Sequence, residues 1–257
     1  MKTVVLFLTL VTLTSSNAVA ALKSEVVAYK QGDVVMQGYL VYDDSLVGQR
    51  PGIIVFPEWW GLNDYVRMRA DMLAKLGFVA FAADVYGDGL VAKDAQEAGA
   101  LSTRYKSDRP LLRNRAEAAL AVVKALPLVD SGRMAAIGYC FGGTTALELA
   151  RNGADIKAAA SFHGSLNTPS PQDAKRIRAK ILVLHGADDP FVPPEEVRAF
   201  EKEMKDVAVG YEFIAYPGAV HGFTNPANKG DIPGALYDAD ADEKSWQAMK
   251  DFFDRNL

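Results

Sequence analysis

Cysteine is the scarcest informative residue in this chain. Of 257 residues only Cys140 carries a thiol, which excludes an internal disulfide and any multi-thiolate metal site. Histidine is nearly as rare, at three, and no spacing of His, Cys, Asp and Glu matches a metal-ligand pattern. Basic clusters are missing too. With 28 Lys and Arg against 32 Asp and Glu the formal charge is −4, so nothing in the balance favours a nucleic-acid partner. There is no phosphate-cradling loop, nucleotide fingerprint, low-complexity stretch, repeat or interdomain linker. These absences predict a protein that uses neither cofactor nor metal. A 49% hydrophobic composition supplies the core of a globular enzyme.

Long apolar runs are confined to the start. Lys2 is followed by an apolar run, Val4 to Leu13, broken only by Thr9 and Thr12, and Ala18-Val19-Ala20 offers a small-x-small cleavage site. This predicts a secretory signal peptide over 1–20, too short to span a bilayer comfortably. No cysteine follows the cleavage site, which argues against a lipid anchor. The expected product is 21–257, a single domain of charge −5 once Lys2 has left, exported to the periplasm or beyond and not held in the membrane. We expect a monomer or weak oligomer.

Within 21–257 the pattern alternates between strand and helix. Residues 25–30 and 34–42 read as a hairpin around Gln31-Gly32-Asp33. Ile53-Ile54-Val55-Phe56 is a compact apolar run of the kind buried on both faces. Further strands are expected at 78–83, 134–138, 156–161, 180–185 and 210–216. Helices are expected after an Asn63 or Asp64 cap, with Val66, Ala70, Leu73 and Gly77 on one stripe. Others should cover 92–106, 110–126, 143–151, 195–206 and the C-terminus, where Trp246, Met249, Phe253 and Leu257 share a face. This is an α/β chain: a mostly parallel central sheet with an antiparallel N-terminal hairpin and helices on both faces. Functional residues in such sheets collect at the carboxyl ends of the strands.

Cys140 lies at such an end, in Gly138-Tyr139-Cys140-Phe141-Gly142-Gly143. The pattern reads as a nucleophile elbow, a sharp strand-to-helix turn that exposes the middle side chain. Glycines allow an approach that a Cβ would obstruct, and a helix N-terminus beneath the sulfur favours thiolate. Such a nucleophile needs a base, and the base an orienting group. His221 follows the 210–216 strand and Asp189 the 180–185 strand, giving the order nucleophile, acid, histidine. Asp188 competes with Asp189, while His163 and His185 read as buried, hydrogen-bonded residues near the site.

Five segments, in order, resemble the dienelactone hydrolase family of α/β-hydrolases: Pro57 to Asn63, Ala83 to Tyr86, Gly138 to Gly143, Gly186 to Pro193 and His221 to Phe223. The resemblance implies an α/β-hydrolase fold and a triad of Cys140, Asp189 and His221. It implies that Glu58 accepts a hydrogen bond from the resting thiol and changes partner when substrate arrives. It further implies backbone N–H donors from Phe141 and Trp59 to an oxyanion. The activity implied is hydrolysis of a small-molecule ester or lactone through a thioester. Tyr86, Trp60 and Phe223 are expected to wall the pocket, together with Trp59.

The chain departs from the family in its arginines. Those enzymes hold a substrate carboxylate with an arginine shortly after the histidine motif and another past the Asp-x-Tyr motif. Here these stretches read Gly222-Phe223-Thr224-Asn225-Pro226 and Gly87-Asp88-Gly89. The expected substrate is therefore neutral or weakly polar, with Arg104 and Arg109 as the remaining candidates for a carboxylate clamp. Two other readings stand beside hydrolysis: a ligand-binding protein on the same scaffold and a redox-sensing thiol.

Overall fold

The computed structural model describes residues 21–257; the leader expected over 1–20 lies outside them. Eight strands form one sheet: β1 Leu22–Gln31, β2 Val34–Asp43, β3 Arg50–Phe56, β4 Val79–Ala82, β5 Val129–Tyr139, β6 Ala158–Phe162, β7 Lys180–Gly186 and β8 Tyr211–Tyr216, in spatial order β1-β2-β4-β3-β5-β6-β7-β8. β1 and β2 pair antiparallel through a two-residue turn whose first position, Gly32, takes φ +60°. β2 runs antiparallel to β4, and every later pairing is parallel. The architecture is the mostly parallel sheet with an N-terminal hairpin that the alternating pattern predicts.

Six helices cover the sheet: α1 Asp64–Lys75, α2 Ala95–Ser107, α3 Arg109–Lys124, α4 Phe141–Arg151, α5 Pro194–Asp206 and α6 Ala239–Asn256. In β3, Ile54 and Phe56 point into one core with Leu112, Ala119 and Val123 of α3 and Phe200 of α5. Ile53 and Val55 point the other way, against Val66 and Leu73 of α1 and Met249 and Phe253 of α6. Alternation along one wholly buried strand thus feeds two hydrophobic layers, each at roughly 25 cal/mol per Å² of apolar surface removed from water.

Several element ends move by a few residues, and three departures from expectation have local reasons. Gly77 does not extend the α1 stripe. It takes φ +91° just past the helix, where Gly77 N–H donates to Ala74 O and Phe78 N–H to Leu73 O, a Schellman stop. β5 begins at Val129 because its partner β3 shifts register between Pro51 and Gly52, letting a polar stretch join a strand that apolar periodicity places at 134–138. A short 3-10 helix, Pro171–Arg176, lies in a segment without apolar periodicity. No helix among the described residues is long and apolar enough to cross a membrane.

Candidate active site

The β5–α4 junction is as sharp as the sequence implies. Cys140 sits between strand and helix with φ +54° and ψ −114°, a left-handed φ that an L-residue adopts only when its surroundings enforce it. Close approach is what the neighbouring glycines supply. A Cβ on Gly138 would fall 1.9 Å from Gly142 O, and one on Gly142 would fall 2.1 Å from Phe56 O. The turn therefore folds directly onto the end of β3, with the half-buried thiol at its apex.

Asp189 and His221 converge there from the ends of β7 and β8. Asp189 is buried, and its Oδ1 accepts from Phe191 N–H at 2.8 Å. Its Oδ2 lies 2.8 Å from His221 Nδ1, which donates to the carboxylate and leaves Nε2 for the thiol. Asp188 points to solvent instead. His221 is held by its own backbone, with N–H to Gly234 O at 3.1 Å and carbonyl to Leu236 N–H at 3.1 Å. Burial opposes a charge on His221, but Cys140 and Asp189 outweigh it and raise the imidazole to about 10. Both partners favour the protonated ring.

Glu58 follows β3 and is almost wholly buried. Desolvation pushes its carboxyl up to about 7, against the lowering influence of Asn225, His221 and Arg69. Its hydrogen-bond partner among the described residues is Asn225, whose Nδ2 donates to Glu58 Oε2 at 2.7 Å. The thiol contact that the family resemblance implies for the resting state is not formed here. Asn225 occupies the stretch after His221 where the arginine was missed, and the absence of that arginine is the only signal in the sequence that points to it.

A cavity of about 400 Å³ opens over these groups, lined by Glu58, Trp59, Trp60, Cys140, Phe141 and His221 among others. The N–H groups of Phe141 and Trp59 have no hydrogen-bond partner among the described residues. Both residues line the cavity together with Cys140.

Two expected wall residues are not walls. Phe223 is completely buried, packed against His163 and Tyr216 beneath the site. Tyr86 is also beneath it: its hydroxyl donates to Trp59 O at 2.8 Å and its ring packs on Phe141, 5.6 Å between centroids. Tyr86 thus braces the Trp59 loop, and burial, with the nearby Cys140, raises its phenol above the usual value. Aromatic character alone cannot tell the wall of a pocket from its floor. Neither arginine candidate reaches the cavity. Arg104 is exposed on α2 and stands over the Tyr105 ring, and Arg109 is buried and donates to Asn167. The cationic side chain that does line the cavity is Lys106, on the same helix face as Ser102. Phe191, from the Gly186 to Pro193 segment, and Asn228 and Ile232, from a loop without a motif, also line it. Among the described residues no cluster of three metal-ligating side chains occurs.

Comparison with known proteins identifies the family. The dienelactone hydrolase family matches residues 36–257. The solved structure m3DLH is 42% identical, superimposes with a TM-score of 0.90, and the match covers 92% of this chain and 99% of that one. A dienelactone hydrolase-like promiscuous phosphotriesterase from metagenomic libraries is 43% identical, with a TM-score of 0.88 and the same coverage. Among curated proteins, a "Probable 2-oxo-3-(5-oxofuran-2-ylidene)propanoate lactonase" of Bradyrhizobium is 31% identical over 69% of this chain and 75% of its own length.

Proposed function

The chain belongs to the dienelactone hydrolase family, with its α/β-hydrolase fold, and on that premise we propose that it hydrolyses esters or lactones with a Cys140–His221–Asp189 triad. The observation that carries this reading is His221, pinned to Asp189 at 2.8 Å beside the thiol of a strained strand-to-helix turn. His221 takes the Cys140 proton, and the carboxylate of Asp189 stabilises the imidazolium that results. Thiolate sulfur attacks the carbonyl carbon, and the carbonyl oxygen becomes an oxyanion bound by the N–H groups of Phe141 and Trp59. Collapse expels an alkoxide or enolate, which takes the proton from His221, and leaves a thioester on Cys140. Water, deprotonated by His221, then releases the acid and restores the thiol.

Glu58 sets the charge beside sulfur. An ionised carboxylate there disfavours thiolate, and a protonated one does not. Its upward shift to about 7 keeps it largely neutral below neutral pH and about half ionised at pH 7.

Neutral substrates fit the cavity best. The stretches 222–226 and 87–89 lack the arginines that would clamp a dicarboxylate-type lactone. Among the described residues the cavity lining holds no arginine and a single lysine, Lys106, and Glu58 adds a negative group when ionised. The 43% identical promiscuous phosphotriesterase adds phosphotriesters as a second substrate class to test. Export of 21–257 belongs to the same proposal, and N-terminal sequencing of protein recovered from the exported fraction should begin at Ala21.

The deciding experiment compares wild type with Cys140→Ala on a short aryl ester and a neutral unsaturated lactone. Hydrolysis by the wild type and its loss in the variant is the expected result. Equal activity in both would remove Cys140 from the mechanism. Absence of turnover in either, with a ligand retained or a sulfenate trapped on Cys140, would favour the binding or redox reading.

A further inference from the structure

His163 takes no part in the chemistry above, yet it touches the nucleophile's own backbone. It follows β6, is 1% exposed, and has φ +41°. Four non-glycine residues among those described have positive φ, and Cys140 and His163 are two of them. They are bonded to each other. Cys140 N–H donates to His163 Nδ1 at 3.1 Å and shares its proton with Phe162 O at 3.0 Å. On the opposite edge of the ring, His163 Nε2 lies 2.7 Å from Thr224 Oγ1.

These contacts assign the protonation state. A ring nitrogen that accepts from an amide has no proton of its own, so the single proton sits on Nε2 and is donated to Thr224. Thr224 belongs to the loop that carries His221 and Asn225. Its hydroxyl meets Tyr65 Oη at 2.6 Å, and Arg69 donates both to Tyr65 Oη and to the Thr224 carbonyl. His163 also packs edge-on against His221, with centroids 5.2 Å apart and planes at 67°.

We propose that His163 is a positioning residue for the Cys140–His221 pair: as a neutral imidazole protonated on Nε2, it ties the strained elbow to the loop that carries the base. The inference rests on the thiol-hydrolase reading for its meaning but not for its geometry. Both Cys140 and His221 stand on backbone outside regular structure, so the sulfur–nitrogen separation depends on a tie between their segments. A second proton, on Nδ1, would break the bond to Cys140 N–H and set a cation against a charged His221. Burial opposes that proton first, and the charges facing His163 oppose it as well: His221, Arg69 and His185 all hold it well below the ordinary imidazole value.

Three variants test the idea. His163→Phe keeps a ring and removes both hydrogen bonds, His163→Asn keeps an acceptor near the Cys140 amide, and Thr224→Val removes the far partner together with that partner's contact to Tyr65. Nitrogen-15 NMR of the wild-type rings should show His163 as the neutral Nε2–H form at neutral pH. In His163→Phe, kcat on an aryl ester should fall by about 100-fold with KM little changed, the scale of a slightly misplaced reacting pair. The pH dependence of Cys140 alkylation by iodoacetamide should move with it, and His163→Asn should recover part of both. A His163→Phe enzyme with wild-type kcat and alkylation profile and only a lower Tm would reduce His163 to packing. An Nδ1–H tautomer or an imidazolium at neutral pH would overturn the proposal as well. Should His163→Phe not fold, Thr224→Val decides: a changed alkylation profile supports the tie, and an unchanged one refutes it. A wild type that hydrolyses no ester would sink the proposed function, while alkylation and NMR would still decide the role of His163.

Discussion

Asn225 Nδ2 donates to Glu58 Oε2 at 2.7 Å, joining the loop after β3 to the loop after β8 across 167 positions of sequence. Among the described residues no hydrogen bond joins Glu58 to the thiol, and His221 is the polar side chain coupled to Cys140. Asn225 is neutral, so Glu58 receives a hydrogen bond without the full charge compensation that an arginine would supply.

The first consequence is a pH dependence that belongs to Glu58. With a carboxyl at about 7, ionisation through neutral pH should place a negative charge beside sulfur and give an inflection near pH 7 in the kcat/KM profile. Glu58→Gln should lack that inflection, and Asn225→Leu should move it upward by about one pH unit, the worth of one hydrogen bond to a charged group. An inflection that persists unchanged in Glu58→Gln would assign it to another residue.

The same carboxyl makes a stability prediction of definite sign. Its folded value lies above the 4.5 of an ordinary glutamate, so between pH 4.5 and 7 the folded protein holds a proton that the unfolded chain has released. This contribution is fully present below pH 4.5, is lost as pH rises through 7, and amounts to on the order of 3 kcal/mol. Thermal melts should therefore show Glu58→Gln gaining on the wild type between pH 5 and pH 8. A difference in Tm that stays constant across that range would contradict the assigned shift.

Asp189→Asn should preserve the fold and cripple turnover. An amide cannot stabilise the imidazolium, and it can hold His221 in the wrong tautomer, a change that costs on the order of 10⁴-fold in the best-studied triad. We expect a fall of about 10³-fold or more in kcat/KM with an unchanged circular dichroism spectrum. Asp188→Asn, at an exposed position, is the control and should leave kcat/KM within about twofold.

Two glycine-to-alanine substitutions should have opposite signs. A Cβ on Gly138 meets backbone at 1.9 Å, so Gly138→Ala must open the elbow and should cost about 3 kcal/mol or more in chemical denaturation. Gly99 lies inside α2, where the nearest atom to a new Cβ is Trp59 Cζ3 at 3.8 Å, an ordinary contact. Gly99→Ala should stabilise by about 1 kcal/mol through helix propensity. Equal effects at the two positions would show that close approach is not what glycine serves at the elbow.

Much of this site is legible before any coordinates. Cys140, Asp189, His221 and Glu58 each stand just past an apolar run in a short motif, and all four come together around one cavity. The misread residues share a different character. Tyr86 and Phe223 are aromatics beside the motifs, and whether such a ring faces the cavity or the core depends on which element passes over it. Arg104, Lys106 and Arg109 all lie near the end of α2 or the start of α3, and helix rotation alone puts Lys106 at the cavity. His163 reads correctly as buried and hydrogen-bonded, but its partners Cys140 and Thr224 lie 23 and 61 positions away. No local pattern encodes such a pairing.

What the sequence determined by itself is the order of strands and helices, the elbow, and the chemical identity of the groups at the strand ends. Those follow from periodicity, glycine placement and short motifs, which act over a few residues. Only the tertiary structure decided that Glu58 answers to Asn225, that His163 is a neutral bridge, and that Lys106 is the cation at the cavity. The reason is physical: each depends on distances between segments far apart in the chain, and these are set by packing against a common sheet.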